Sequence, residues 1–245
     1  KYLADVDMVR GPYLNTEYLS FYLDSEVPEI QSELIRKAVN YGFDRSKMMM
    51  YLRNGIGIPA EGGFIPKGLP SYKESIGFDY RPDVAKQLIQ QFKTETGIKN
   101  PQISITTTSN YLSFSEYIQR ELEKIGLIVK IDVMPGAALR DAKANGKLDI
   151  FRASWVADYP DAENYLSLFY SKNFAPNGPN YTHYSSDLFD TWYEEAFMEI
   201  DDDKRNILYT KMDSLIMKQA PIVPLFYDEI VRFTRKNVKG LEVGP

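Results

Sequence analysis

The chain of 245 residues is 44% hydrophobic and 26% charged, which is typical of a globular protein long enough to bury a full core. It contains no cysteine, which excludes disulfide frameworks, thiolate nucleophiles and cysteine-built metal sites. With 29 basic and 34 acidic residues its net charge is −5, which gives no support for a nucleic-acid-binding surface, and no apolar run reaches the roughly 18–20 residues of a membrane span.

The first part of the chain predicts a strand, two helices and a long loop. The aromatic segment 17–23 predicts a strand, and apolar residues spaced over 30–39 predict a helix with one buried face. Asp44 is placed to cap a second, short helix that ends near Leu52. Between 54 and 72 the chain has five glycines and three prolines, and this composition predicts a surface loop or lid.

From Pro82 onward, strands and helices alternate, and Pro82 itself suits the first turn of a helix. The further elements predicted are strands over 103–108, 127–133, 148–156 and 222–233, and helices over 114–125, 137–144, 186–198 and 202–219. Strand–helix–strand alternation at this spacing predicts the α/β class, with a mostly parallel sheet flanked by helices.

The most informative charged residues lie at the end of one predicted strand. Arg152, Ser154, Val156 and Asp158 would share one side if the strand stays regular. Ligands of open α/β sheets bind beyond the carboxyl ends of strands, where Asp158 would lie. A carboxylate there suits an ammonium group and the arginine suits a carboxylate, so the spacing fits a zwitterion such as a short peptide. These residues alone favour a more ordinary alternative, namely an internal Arg–Asp pair or an arginine that points to solvent.

Other polar groups give weaker indications. The glycine-rich loop lacks the residue order of a phosphate-binding loop, and the acidic residues 201–203 suit the first turn of a helix. His183 is the only histidine and lacks the partners of a catalytic triad or a transition-metal site, so it is interpreted as a surface or packing residue. Asp158 with Asp161 or Glu163 would supply the two carboxylates of a glycoside hydrolase, which is the enzymatic alternative.

The segment 155–166 reads W-V-A-D-Y-P-D-A-E-N-Y-L and resembles a hallmark of the family 5 extracellular solute-binding proteins, the peptide receptors of ABC importers. Segments similar to the family's motifs also occur, in the expected order, at 35–45, 57–60, 64–66, 80–88, 122–129, 223–226 and 238–240. The resemblance therefore extends over nearly the whole chain.

This resemblance implies a lobe of the periplasmic-binding-protein type II fold, within a longer protein of two lobes. Residues 15–221 are predicted to form the C-terminal ligand-binding lobe. Residues 1–14 are predicted to be a hinge and the end of a missing N-terminal lobe, and 222–245 to be a return strand and tail toward that lobe. Because the chain begins at Lys1 without a methionine, we expect a piece of a longer protein.

The resemblance also implies the residues of a binding site. Asp158 falls on the aspartate that pairs with the α-amino group of a bound peptide, and Arg152 falls near the ligand's carboxylate or backbone. Trp155 and Val156 fall on the strand whose backbone pairs with an extended peptide. Ser154 stands where many members have glycine, and it would narrow or re-aim the pocket.

The expected function is a non-enzymatic substrate-binding subunit of an ABC importer. Its expected partners are a short peptide and the permease subunits, with no cofactor, metal or nucleic acid. A receptor for oligosaccharides or metal chelates is the alternative within the family. The resemblance implies a periplasmic or extracytoplasmic location, with membrane contact only through the permease or through a lipid anchor whose signal would lie upstream.

Overall fold

A six-stranded sheet, ordered β2-β6-β1-β5-β3-β4, lies at the centre of the molecule. The computed structural model describes residues 5–241. The strands are β1 Val6–Phe21, β2 Ile58–Pro59, β3 Gln102–Thr107, β4 Ile128–Val133, β5 Ile150–Val156 and β6 Ile222–Arg235. The helices are α1 Pro28–Gln31, α2 Glu33–Tyr41, α3 Arg45–Arg53, α4 Pro82–Thr96, α5 Leu112–Lys124, α6 Gly136–Ala144, α7 Glu163–Leu166, α8 Asp187–Met198 and α9 Asp202–Gln219.

The α/β class is confirmed, but the strand directions are mixed rather than mostly parallel. β3 pairs in parallel with both β4 and β5, as the strand–helix–strand alternation predicts. β1 pairs antiparallel with β5 and with β6, and β2 pairs antiparallel with β6. The reason is that β1 lies inside the sheet and runs opposite to both of its neighbours, β5 and β6.

The structure changes the bounds of several predicted elements. β1 begins at Val6, because residues 6–12 pair with 229–235 of β6 in a contact that no local pattern reveals. The helix predicted over 30–39 is divided into α1 and α2 at Ser32. α7 and the helical turns that follow it were not predicted, because pieces of three or four residues carry too little periodicity.

Two hydrophobic cores cover the two faces of the sheet. One core contains Phe21 and Ile150, and the other contains Tyr18 and Phe151. Residues paired across β1 and β5 share a face, so Leu19 and its partner Arg152 lie on the side of the first core. Toward the carboxyl end of β5, charged and polar side chains therefore replace the apolar residues of that core.

The segment interpreted as a surface loop or lid is in part a core segment. Phe64 and Ile65 are fully buried, and the Phe64 ring meets Tyr18 edge to face with centroids 4.9 Å apart. The backbone N–H groups of Phe64 and Ile65 donate to the carboxylate of the buried Asp213 of α9 at 2.7 and 3.3 Å. A Cβ at Gly63 would overlap this carboxylate, so the close approach requires glycine.

Beyond the sheet, β1 and β6 continue as a two-stranded ribbon formed by residues 6–12 and 229–235. The ribbon carries exposed apolar side chains, including Met8 and Phe233, which face each other in register. β1 is one continuous strand across residue 14, where the boundary between the hinge and the ligand-binding lobe is predicted. That boundary stays a prediction. The predicted terminal segments also include residues 1–4 and 242–245, which lie outside the described residues. No helix within 5–241 has the length and apolar character needed to cross a membrane.

Candidate functional site

The second half of β5 has one strand edge that no other described strand covers. On one side, β5 pairs with β1 over its whole length, from Ile150 to Val156. On the other side, β3 pairs only with Ile150 and Phe151. Within residues 5–241, the edge from Arg152 to Val156 is therefore open, and we call it the β5 edge.

The backbone groups of Ser154 and Val156 point toward the β5 edge. At the two ends of the β1–β5 pair, the Tyr22 N–H donates to Asp149 O and the Ala157 N–H donates to Leu14 O, each at 2.9 Å. Because bonded and non-bonded pairs alternate in an antiparallel ladder, odd-numbered residues of β5 bond to β1 and even-numbered residues point away. The Trp155 backbone consequently faces β1 and the Val156 backbone faces the β5 edge, and the pairing of this strand with a peptide stays a prediction.

Asp158 lies just past the end of the β5 edge with a free carboxylate. The residue is exposed, and its side chain has no hydrogen-bond or ion-pair partner among the described residues. Its backbone N–H donates to Oδ1 of Asn164 at 3.3 Å. The same oxygen accepts from Nε1–H of Trp155 at 2.7 Å. Asn164 is buried, and these two hydrogen bonds hold the turn that carries Asp158 against the end of β5.

Replacing Asn164 with alanine is expected to destabilise the protein by about 1–3 kcal/mol, because two donors then lose their shared acceptor. Thermal unfolding measures this loss. Asn164→Asp keeps an acceptor oxygen at the same position and is expected to lose less. An equal loss in both variants would contradict the role given to this oxygen.

Arg152 has its partner inside the chain, and that partner is Glu17 rather than Asp158. Nη2 of Arg152 forms an ion pair with Oε2 of Glu17, its diagonal neighbour on β1. The guanidinium carbon lies 3.5 Å from the centre of the Tyr111 ring, and the Tyr111 hydroxyl donates to Oε1 of Glu17 at 3.4 Å. Ser154 lies directly opposite Glu17 in the pair of strands.

Glu17 belongs to a buried polar cluster whose charges balance. Nδ2 of Asn15 donates to Oε1 of Glu17 at 3.2 Å and to Oδ2 of Asp228 at 2.6 Å. Asp228 in turn pairs with Arg53 at 2.7 Å. Burial raises the pKa of Glu17, although Arg152 and the hydrogen bond from Asn15 act in the opposite direction.

Sequence reasoning missed Glu17 and the residues around it. The predicted strand begins at Glu17, and no role is assigned to that residue from the sequence. The signal was available in principle, because a charge in an apolar strand needs a partner, and this argument was applied to Arg152 and Asp158 but not to Glu17. Tyr111 and Asn164 carried no such signal, since their roles depend on contacts between separate elements.

The other candidate residues have partners within the chain. Oδ1 of Asp161 accepts from the Glu163 N–H at 2.8 Å, and the Glu163 carboxylate accepts from the hydroxyls of Tyr159 and Tyr193. The three carboxylates considered for a hydrolase therefore differ in their hydrogen-bond partners. Of the three, only that of Asp158 has no partner within the described chain.

His183 packs between other side chains. Its Nδ1 lies 2.7 Å from Oδ2 of Asp24, and its ring stacks on Phe174 with centroids 4.6 Å apart. In the part of the chain that the structure describes, no group of three or more histidine, cysteine, aspartate or glutamate residues is placed to hold a metal ion.

Comparison with known sequences identifies one family along most of the chain. The family described as "Bacterial extracellular solute-binding proteins, family 5 Middle" matches residues 2–177. The glutathione-binding protein GsiB of Salmonella choleraesuis (strain SC-B67) is 25% identical over 248 residues, which cover 98% of this chain and 48% of that protein. The dipeptide-binding protein of Escherichia coli (strain K12) is 24% identical over 246 residues, which cover 98% of this chain and 45% of that protein. The chain thus spans about half the length of the curated relatives it matches.

Solved structures share the fold. HbpA2 from Haemophilus parasuis superimposes with a TM-score of 0.85 at 20% identity, covering 95% of this chain and 46% of that chain. The periplasmic binding protein DppA from Helicobacter pylori, in complex with the peptide STSA, gives a TM-score of 0.82 at 26% identity, covering 97% of this chain and 46% of that chain. Helices flanking a curled mixed sheet are common to these structures and to this chain.

Proposed function

The chain belongs to the family 5 bacterial extracellular solute-binding proteins, and we propose that it forms the peptide-binding part of the substrate-binding subunit of an ABC importer. Because the family consists of solute-binding proteins, the function at that level is binding and not catalysis. The observation that carries the peptide assignment is the open β5 edge, which ends at the Asp158 carboxylate, unpartnered among the described residues. Relatives named for dipeptide binding and solved with a bound peptide support the same class of ligand.

An extended peptide would add to the β5 edge as a further strand. The backbone groups of Ser154 and Val156 point toward that edge, so they would supply main-chain hydrogen bonds that do not depend on the ligand's side chains. The β5 edge begins at Arg152, because β3 pairs with β5 only as far as Phe151. The Ser154 side chain would reduce the space beside the bound backbone.

Asp158 would bind the amino end of the peptide. A carboxylate and an ammonium group form a charge-assisted hydrogen bond, which contributes about 1.5–3 kcal/mol when it is made in a protein. Closure of a second lobe over the ligand would exclude water and strengthen this ion pair. Such closure would need the rest of a longer protein. Residues 1–14 and 222–245 would connect the binding lobe, residues 15–221, to that part.

The partners and location follow from the same proposal. The ligand would be handed to the permease subunits of an importer, outside the cytoplasmic membrane, and membrane attachment of the receptor would require a lipid anchor upstream of this chain. A receptor for oligosaccharides or metal chelates is the alternative. The Asp158 carboxylate, which has no partner within residues 5–241, favours a peptide over both because it lies beside an open strand edge.

Mass spectrometry of the small molecules released by denaturing the intact protein, purified from cells, tests the ligand class. A ladder of short peptides is the expected result. Sugars, a metal chelate or no released ligand would remove the peptide assignment and leave the fold and the family as they are.

A further inference from the structure

The charge of Arg152 is balanced from within the sheet, at the point where a peptide would lie. Its partner Glu17 is buried, with 3% of the residue exposed. Asn15 and Tyr111 both donate to Oε1 of Glu17, at 3.2 and 3.4 Å, while Oε2 pairs with Arg152. Glu17 is therefore fixed as the counter-ion of Arg152.

Lys143 is a further cation near Arg152, and burial together with the charge of Arg152 lowers the pKa of Lys143. A second ion pair lies beside Glu17. Asp228 lies next to Glu17, because Nδ2 of Asn15 donates to both carboxylates. Arg53 is committed to Asp228 at 2.7 Å. A ligand carboxylate that approached Arg152 would meet the negative charge of Glu17, and like charges placed close together are unfavourable.

Arg152 nevertheless retains a hydrogen-bond donor. Its Nε–H is buried and has no acceptor among residues 5–241. An unpaired buried donor costs roughly 1–3 kcal/mol, so a ligand that supplies an acceptor stabilises the site. A carbonyl oxygen does so without adding a negative charge next to Glu17, whereas a carboxylate adds one.

We propose that Glu17 is a specificity-determining residue, which neutralises Arg152 so that the site accepts a carbonyl oxygen of the ligand there and disfavours a free carboxylate. This inference rests on the proposed peptide function and defines its ligand further. Arg152 and Asp158 are six positions apart, which is roughly 20 Å of extended strand, and the reach of their two side chains shortens this span. Peptides of about three to five residues, at roughly 3.3 Å per residue, would therefore bring their carboxyl end from Asp158 to the region of Arg152. The favoured ligands are peptides with a free amino end that either continue past Arg152 or end there in an uncharged group.

A competition between peptide acids and peptide amides tests this inference on the intact protein. Pooled synthetic peptides of three to five residues are offered in free-acid and amidated forms that differ in isotopic label, and the retained peptide is quantified by mass spectrometry. The wild-type protein is expected to retain amides at least about threefold over acids. Glu17→Gln leaves the charge of Arg152 unbalanced and is expected to raise the acid-to-amide ratio about tenfold or more.

Two further variants separate this effect from a general loss of charge or of structure. Asp228→Asn removes a negative charge from the same cluster but leaves Glu17 on Arg152, and it is expected to keep the wild-type ratio. Arg152→Gln leaves the negative charge of Glu17 unbalanced and is expected to lower the acid-to-amide ratio below that of the wild type. This second variant tests the inference even where Glu17→Gln does not fold.

The inference is overturned if the wild-type protein retains acids at least tenfold over amides and Arg152→Gln abolishes that preference. It is also overturned if Glu17→Gln folds and leaves the ratio unchanged. A parallel arm with N-acetylated peptides addresses the proposed function separately. If acetylated and free peptides are retained equally, the role of Asp158 fails, whereas an unexpected acid-to-amide ratio removes only the role of Glu17.

Discussion

Replacing Asp158 with asparagine in the intact protein is expected to weaken the binding of peptides with a free amino end by about 2–3 kcal/mol, or roughly 30- to 150-fold. Asparagine has nearly the same shape and keeps one acceptor oxygen, so the variant removes the negative charge and little else. The Asp158 carboxylate has no partner among the described residues, so its loss breaks no contact that supports the fold.

Titration calorimetry with matched free and N-acetylated peptides measures this effect. N-acetylated peptides have no ammonium group, and their affinity is expected to change less than about threefold between the wild type and Asp158→Asn. Asp203→Asn, which changes an exposed carboxylate in the first turn of α9, is the matched control and is expected to bind like the wild type. An equal loss of affinity for free and acetylated peptides would contradict the assignment of Asp158 to the amino end.

Asp213→Ala is expected to destabilise the protein by about 3 kcal/mol or more. The substitution leaves the Phe64 and Ile65 N–H groups buried without an acceptor, and each such group costs roughly 1–3 kcal/mol. For a chain of this length the unfolding midpoint should fall by roughly 6–12 °C, which scanning calorimetry measures. Asp203→Ala removes an exposed acid from the same helix and should cost less than about 1 kcal/mol. Similar losses in the two variants would show that Asp213 does not anchor the loop.

The same residue makes stability depend on pH. Burial raises the pKa of Asp213 from 3.8 to about 7, because the two backbone donors only partly offset its desolvation. Between these values the folded protein holds a proton that the unfolded chain has released, so the contribution of Asp213 to stability falls as the pH rises through this window. Asp213→Asn does not titrate. The free energy of unfolding of the wild type relative to this variant should therefore decline from about pH 4 to pH 7 and then level off, and a constant difference would contradict the raised pKa.

Features that depend on residues close together in the chain could be predicted from the sequence. The cap at Asp44 is present as predicted, with its side chain accepting from the Lys47 N–H at 2.9 Å, and α4 begins at Pro82. Helix periodicity located α5, α8 and α9 to within two residues at each end. The motif around Asp158 indicated the family and the candidate site, because it combines a strand end and a turn within a dozen residues.

Contacts between residues that are far apart in the chain could not be predicted, and they are seen only in the folded protein. Arg152 and Glu17 are 135 positions apart, and Phe64 and Asp213 are 149 apart, so neither pair leaves a periodic trace in the sequence. β1 and β6, which lie near opposite ends of the chain, pair antiparallel, and this pairing gives the sheet its mixed strand directions. The open β5 edge likewise depends on where β3 stops along its neighbour. Local patterns set the type of each element through backbone preference and apolar spacing, whereas partners across the sheet are selected by the packing of the whole chain.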